Sequence, residues 1–250
     1  MYEMLTLGKE GCNGQHTRFY IKPIQVGYGG ENSAHGVLSK YKSDTAEKIL
    51  RTALKMFAVA TPAAVRMRDL AREAGVNLAA VNYHFRTKDA LYMEVANIIV
   101  RLFQIQYEPY IKRFDEIKAS KDSDKAIELI KDVLSSRIRC ESKDNKYSRY
   151  IVLILMREEL CNGAPFNLFL RKLFIPRTRI TAELIEIATK GRISGEKARI
   201  SAKILLGQTH LFNSARTGVK IDLEWKTFGE REAEKVKSIN SEFVDKILRQ

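Results

Sequence analysis

Cysteine is scarce in this chain of 250 residues, which contains only Cys12, Cys140 and Cys161. These three form no CxxC pair and have no zinc-ligand spacing, which excludes a disulfide framework and a zinc-finger scaffold. Proline occurs 5 times and glycine 14 times, too rarely for a collagen-like or low-complexity protein. The longest uninterrupted apolar run is 150–156, much shorter than the ~20 residues that a membrane-spanning helix needs.

Sequence motifs of catalysis are missing as well. The histidines are scattered, no HExxH or paired metal-ligand motif occurs, and there is no GxSxG element. Glu158 and Glu159 are adjacent, and neighbouring helix residues point about 100° apart, so they cannot share a proton. We therefore expect no enzyme, no metal and no cofactor. The N-terminus also lacks the pattern of a signal peptide, so we expect a cytoplasmic protein without a membrane partner.

Positive charge is what the chain has in excess. The net charge is +13, while 45% of the residues are hydrophobic. The hydrophobic share and the length support one or two folded domains with a buried core. The charge favours a polyanionic partner such as nucleic acid.

The first 43 residues differ from the rest. They hold half of the glycines, and their apolar residues show no sustained period. We predict a flexible N-terminal extension over 1–43. The glycines at 27, 29 and 30 are not followed by Gly-Lys-Ser/Thr, so a phosphate loop is not indicated.

From Ser43 onward the apolar spacing is helical, which predicts an all-α fold. Pro62 is expected to stop the first helix, Pro109 to end or kink the fourth, and Pro176 to separate two later ones. The helix over 147–160 is apolar nearly all round its middle and is predicted to lie centrally in a bundle. The predicted helices are 44–60, 67–74, 77–85, 87–106, 125–140, 147–160, 166–174, 178–189, 196–216 and 230–248.

The segment 65–92 has the spacing of a helix-turn-helix. Two short helices are joined at Gly75, where a positive φ lets the second helix cross the first steeply. An ordinary helical hairpin explains that glycine equally well. In the DNA-binding case, the N-terminal end of the second helix reaches base edges in the major groove. Leu78, Ala79 and Ala80 are then expected to contact thymine methyl groups, while Asn77 either caps the helix or contacts DNA.

The wording after the turn, AAVNYHFRTKDALY, resembles the TetR/AcrR family of transcription regulators, and 81–85 resembles its CecR-like branch. The resemblance is strongest over 44–103. It implies an N-terminal helix-turn-helix domain over 44–104 and a C-terminal helical domain for ligand binding and dimerisation over 105–250. The implied partners are a double-stranded DNA operator, a second copy of the chain and a small-molecule effector.

The resemblance also implies roles for individual side chains. Arg68 corresponds to a position that reaches a base or a phosphate, although a solvated surface arginine is the simpler reading. Tyr83, His84 and Lys88 resemble the family's phosphate clamp, and Asn82 either contacts DNA or faces water. The chain departs from the family by lacking a glycine between the first two helices.

A second departure is Arg66, which stands where a Ser or Thr cap is common and adds a charge where phosphates should lie. In the C-terminal part, small residues in 196–216 and the amphipathic 230–248 are expected to pack across a dimer axis. Packing within one chain explains the same pattern, and both can hold at once. An apolar effector pocket is expected there too, with Arg157 as polar anchor, although plain core is the simpler reading. Its candidate wall is Phe103, Met156, Leu160, Phe166, Phe169 and Phe212.

These observations lead to one hypothesis and one alternative. The hypothesis is a homodimeric repressor that a small apolar ligand releases from its operator. The alternative is a helical protein-binding adaptor without specific DNA readout, because 78–80 offers no hydrogen-bonding side chain for base recognition.

Overall fold

The computed structural model describes residues 43–138 and 146–249, and every regular element within them is helical. The all-α prediction is confirmed. The predicted extension, apart from Ser43, lies outside the described residues, as does Cys140. No helix of the described part is long and apolar enough to cross a bilayer. In chain order the helices are α1 (Asp44–Val59), α2 (Met67–Glu73), α3 (Leu78–Phe85), α4 (Lys88–Ser120), α5 (Ser123–Ser135), α6 (Lys146–Cys161), α7 (Phe166–Phe169), a π-helical segment (Leu170–Phe174), α8 (Ile175–Ala188), α9 (Gly195–Gln208), α10 (Leu211–Ser214), α11 (Arg216–Asp222) and α12 (Glu230–Leu248).

The first three helices form around one small core. α1 buries a continuous apolar face that includes Ile49, Leu50 and Phe57, the face that the 3.6-residue period predicts. α2 ends beside Gly75, whose φ of +67° is the left-handed conformation that glycine adopts without strain. The predicted turn between α2 and α3 is therefore present.

α4 is much longer than predicted, because it runs for 33 residues and has Pro109 inside it. A proline removes one helical hydrogen bond and crowds the carbonyl four residues earlier, which normally ends a helix. Here the helix is packed on both sides of the proline. Leu102 lies in one apolar cluster, while Phe114 and Ile117 lie in another. This packing outweighs the local cost, and the predicted boundary between 104 and 105 falls inside a continuous helix.

Two other predictions of helix boundaries are wrong. Pro176 does not separate two helices, since the π-helical segment leads directly into α8 and the proline occupies its first turn. The wider π-helical turn immediately before Pro176 accommodates the ring and the missing N–H within a continuous run of helix. Conversely, the helix predicted over 196–216 breaks after Gln208, and Gly218 lies inside α11. Side chains compete for the backbone at this break, where Asn213 Nδ2 donates to the Thr209 carbonyl at 3.0 Å.

Buried residues form a large cluster at each end of α4. One joins α1, α2, α3 and the first half of α4 to Ile154 of α6 and Phe169 of α7. The other joins the second half of α4 to α5, α8, α9 and α12. α6 is not central as predicted: Ile154 and Glu158 are buried, while most of its other residues are half-buried or exposed.

Candidate nucleic-acid interface

α3 is fixed by its ends and by two buried side chains. The Asn77 side chain caps it, with Oδ1 accepting a hydrogen bond from the Ala80 N–H at 2.7 Å. Val81 and Phe85 are buried and hold the helix against α1 and α2. The opposite side carries Ala79 and Asn82, both exposed, so a chemically simple helix face is open to a partner.

Aromatic and cationic side chains lie at the C-terminal end of α3. The Tyr83 side chain is 83% exposed, and its ring meets the His84 ring edge-on with 5.2 Å between centroids. Arg86 follows with a φ of +56°, an uncommon conformation for a residue with a side chain. Arg86 was not among the predicted site residues, although it lies within the resembling segment.

The start of α4 lies beside the segment that leads into α2. Thr87 caps α4, because its hydroxyl accepts a hydrogen bond from the Ala90 N–H at 3.1 Å. The Lys88 Nζ donates to the Ala63 carbonyl at 3.3 Å, which holds this ammonium close to Arg66. The positive end of a 33-residue helix dipole points to the same place. This corner therefore attracts anions.

The positive charge around α3 is not neutralised within the described part of the chain. Arg66, Arg68 and Arg86 are exposed and form no ion pair with any described residue. The acids of α2 are already occupied: Asp69 pairs with Arg72 at 2.8 Å, and Glu73 pairs with Lys55 at 2.9 Å. Hydrogen bonding to Lys55 lowers the pKa of Glu73. What remains is an uncompensated cationic surface.

The residues predicted to line an effector pocket do not all lie in one place. Phe169 is buried in the cluster around α1, and Phe103 packs against that cluster. Phe212 packs near Trp225 and Phe228, and Leu160 is 79% exposed. Phe103 stacks on Tyr107 at 6.2 Å, whereas Met156 and Phe166 are half-buried elsewhere on α6 and α7. The spacing of apolar residues shows which face of a helix is buried, but not which other helix packs against that face. The sequence therefore could not show that these apolar side chains belong to more than one cluster.

Arg157 has a different position from the predicted pocket anchor. Its guanidinium donates to the Phe57 carbonyl, to the Ala60 carbonyl at 2.9 Å and to the Tyr92 hydroxyl at 3.2 Å. Tyr92 in turn donates to Glu158 Oε1 at 2.6 Å. Burial, followed by the bond to Glu158, raises the pKa of Tyr92 to about 12. α6 is thereby fastened to the C-terminal end of α1.

A small, partly open cavity of about 20 Å³ lies instead between α4, α5 and α8. Its wall is mostly apolar, but Tyr107 and Arg177 also line it. No pattern in the sequence paired these two residues. The available signal was an arginine between the apolar residues Phe174 and Ile180 of one helix face.

Two protein families match separate parts of the chain. Residues 49–95, which include the helix-turn-helix, match the family described as bacterial regulatory proteins of the tetR family. Residues 129–249 match the C-terminal domain of the HTH-type transcriptional dual regulator CecR. Both parts of the chain are thus similar to regulators of the TetR family. The chain is CecR-like, and it is therefore a DNA-binding transcriptional regulator and not an enzyme.

Individual TetR-family relatives are distant in sequence. The HTH-type transcriptional dual regulator CecR of Shigella flexneri is 24% identical over 183 residues, which are 72% of this chain and 81% of that protein. The uncharacterised HTH-type regulator YerO of Bacillus subtilis (strain 168) is 25% identical over 138 residues, 55% of this chain and 43% of its own length. The resemblance that the sequence predicted is confirmed.

Solved structures of this kind also align with the chain. A transcriptional regulator of the TetR/AcrR family from Aquifex aeolicus VF5 has 20% identity and a TM-score of 0.48, over 81% of this chain and 99% of its own. A putative TetR-family regulator from Mesorhizobium loti MAFF303099 has 15% identity and a TM-score of 0.44, over 82% and 98%.

Proposed function

We propose that this regulator is a homodimeric repressor that binds a double-stranded operator and is released from it by a small-molecule effector. The observation that carries the proposal is the exposed face of α3 beside arginines that have no acidic partner among the described residues. Uncompensated cations beside an exposed helix are the features that groove binding requires.

On DNA, α3 enters the major groove with its N-terminal end towards the bases. Leu78, Ala79 and Ala80 supply apolar contacts that suit thymine methyl groups. Asn77 keeps its cap, because Oδ1 is committed to the Ala80 N–H, and its amide N–H groups are left to reach DNA. Asn82 contacts the adjoining edge of the groove.

The surrounding side chains hold the phosphates. Tyr83 and His84 donate single hydrogen bonds, while Arg66, Arg68 and Lys88 supply charge from the start of α2 and of α4. These contacts set the position of α3 and carry no base specificity of their own, with Arg68 as the one that also reaches a base.

Dimerisation is proposed through α9 and α12. Their solvent side carries an apolar stripe, which is unusual on a monomer surface: Ile200, Ile204, Ile239, Phe243 and Ile247 are all exposed. Gly207 lies on the same side of α9 as Ile200 and Ile204, and nothing lies within 4 Å of a Cβ placed there. The stripe and the open glycine together permit close approach of a second copy about a two-fold axis.

Effector release is proposed to act through α4. This helix starts at Lys88 and ends at Ser120, a length of about 50 Å at 1.5 Å per residue. It passes both the phosphate corner and the cavity beside Tyr107. An effector that binds better when α4 is displaced shifts the population away from the DNA-bound form by its difference in affinity for the two forms.

The test is genome-wide footprinting of the purified protein, combined with transcript levels in cells with and without its gene. The proposal expects footprints of the purified protein at a few promoters, and higher transcription from those promoters in cells that lack the gene. Lower transcription after deletion would contradict the repressor role. Absence of footprints at every promoter would contradict operator binding.

A further inference from the structure

Two arginines lie beside the Tyr107 side chain in the C-terminal part. Arg137, which follows α5, donates from Nη1 to the Tyr107 hydroxyl at 3.4 Å and from Nε to Thr209 Oγ1 at 2.8 Å. Its Nη2 lies 3.1 Å from His210 Nε2. Arg177 lines the cavity next to Tyr107, and its Nε is sealed from solvent without a hydrogen-bond partner among the described residues.

The charge of this pair is not balanced in the described part. No carboxylate there lies within ion-pair distance of Arg137 or Arg177. Glu159, which is exposed, acts on Arg177 only through its field. Both arginines are half-buried, and holding partly buried cations without a counter-charge is costly, so proteins rarely keep such an arrangement without a use for it.

Three titratable groups respond to the missing negative charge. Burial, and then the field of Arg137, lowers the pKa of Arg177 to about 10. Burial, followed by the fields of Arg137 and Arg177, lowers the pKa of His210 to about 4. Burial raises the pKa of the Tyr107 phenol, but the two guanidinium groups outweigh it and the pKa is lowered.

Apart from Tyr107, Arg177, Tyr110 and Thr181, the side chains that line the cavity are apolar. They include Ile130, Val133 and Leu184. Its volume of about 20 Å³ has room for roughly one water molecule. A carboxylate has three heavy atoms, so both the carboxylate and the apolar body attached to it enter beside the arginines only when α4, α5 and α8 separate.

We propose that Arg137, Arg177 and Tyr107 bind the carboxylate of a small organic acid whose apolar body enters between α4, α5 and α8. Guanidinium groups bind carboxylates through paired charge-assisted hydrogen bonds, and the phenol donates a third. The effector is then an organic acid, whereas the sequence predicted a small apolar ligand with Arg157 as its polar anchor. The role of this acid as an effector rests on the proposed function, whereas its binding to the protein does not involve DNA.

The experiment measures the melting temperature and binding calorimetry of the full chain, at constant ionic strength, with acetate, benzoate and octanoate and with the amide of each. At least one carboxylate is expected to raise the melting temperature and to bind at least about 10-fold more tightly than its amide, since hydrogen bonds to a charged group are strong. Arg177→Met should weaken that carboxylate about 10- to 100-fold. Tyr107→Phe, which keeps the ring, should weaken it about 2- to 10-fold.

Arg179→Met is the matched control, because Arg179 is an exposed arginine of the same helix and its loss should leave carboxylate binding unchanged. Without ligand, Arg177→Met should melt no lower than the unaltered protein, since it removes an unbalanced buried charge. The inference is overturned if no carboxylate binds better than its amide, or if Arg177→Met and Arg179→Met bind it equally. Operator binding is measured separately, so loss of one result does not imply loss of the other.

Discussion

Asn77 shows how far single residues can be interpreted. Its place before an apolar run favours a cap, and the bond to the Ala80 N–H confirms that reading. Such local roles are readable from sequence because they depend on neighbours three residues away. The position of Arg137 and Arg177 beside Tyr107 could not be predicted from the sequence, since it depends on how α5 and α8 pack beside α4.

Asn77→Ala should lower the free energy of unfolding by about 1 kcal/mol, because the Ala80 N–H loses its acceptor. Asn77→Ser keeps a capping oxygen and should restore most of that stability. Urea unfolding of both variants measures the difference. Equal stability of the alanine and serine variants would show that the cap contributes nothing.

Arg68→Met should weaken operator binding and reduce the slope of log affinity against log salt by about 1, as expected for the loss of one phosphate contact. If Arg68 also reaches a base, preference between operator variants should relax. Arg72→Met is the control, because Arg72 is exposed on the same helix but paired with Asp69, and both variants remove one charge. Equal effects of the two variants would place Arg68 outside the interface.

At the level of secondary-structure elements, the sequence predicted the presence of helices better than it predicted where one helix ends and the next begins. α1, α2, α3 and α12 lie within a residue or two of their predicted bounds, because caps and periodicity are local signals. The sequence predicts that Pro109 ends or kinks its helix and that Pro176 separates two helices. Instead, packing in two clusters keeps α4 continuous through Pro109, and a π-helical segment precedes Pro176 without a break. The fastening of α6 to α1 by Arg157 was also invisible, since its partners lie about a hundred residues away.

Arg157→Met should lower the free energy of unfolding by about 1.5–3 kcal/mol, because carbonyls at the end of α1 lose a charged donor. Arg149→Met on the exposed side of α6 should change it by less than about 0.5 kcal/mol. Denaturant titration of the two variants makes the comparison. A loss below that of the control would mean that Arg157 does not hold α6 to α1.

At the scale of the whole molecule, the proposed DNA binding requires two copies of the chain. One short α3 reads too few bases for a specific site, so the proposal places one α3 on each of two half-sites. In the proposed dimer, the charge of +13 serves DNA binding and the apolar stripe on α9 and α12 serves contact between the two copies. The sequence indicated both surfaces, but it placed the second on a helix that the structure breaks after Gln208.

Gly207→Leu should weaken dimerisation at a cost of about 1–3 kcal/mol, because the new side chain overpacks the approach of the partner. The protomer itself has open space at this position, so its fold should be unaffected. Gly218→Leu is the control, since Gly218 is also helical with nothing near an added Cβ. Sedimentation equilibrium at micromolar concentration compares them. A monomeric unaltered protein, or a fully dimeric Gly207→Leu, would contradict the proposed interface.

The most direct measurement is the affinity of the purified protein for its footprinted operator across a range of salt concentrations. If each half-site contacts about four phosphates, a dimer contacts about eight, and the slope of log affinity against log salt should be roughly −7. That value would support two copies of α3 bound beside Arg66, Arg68 and Lys88. An affinity that does not change with salt would contradict the account.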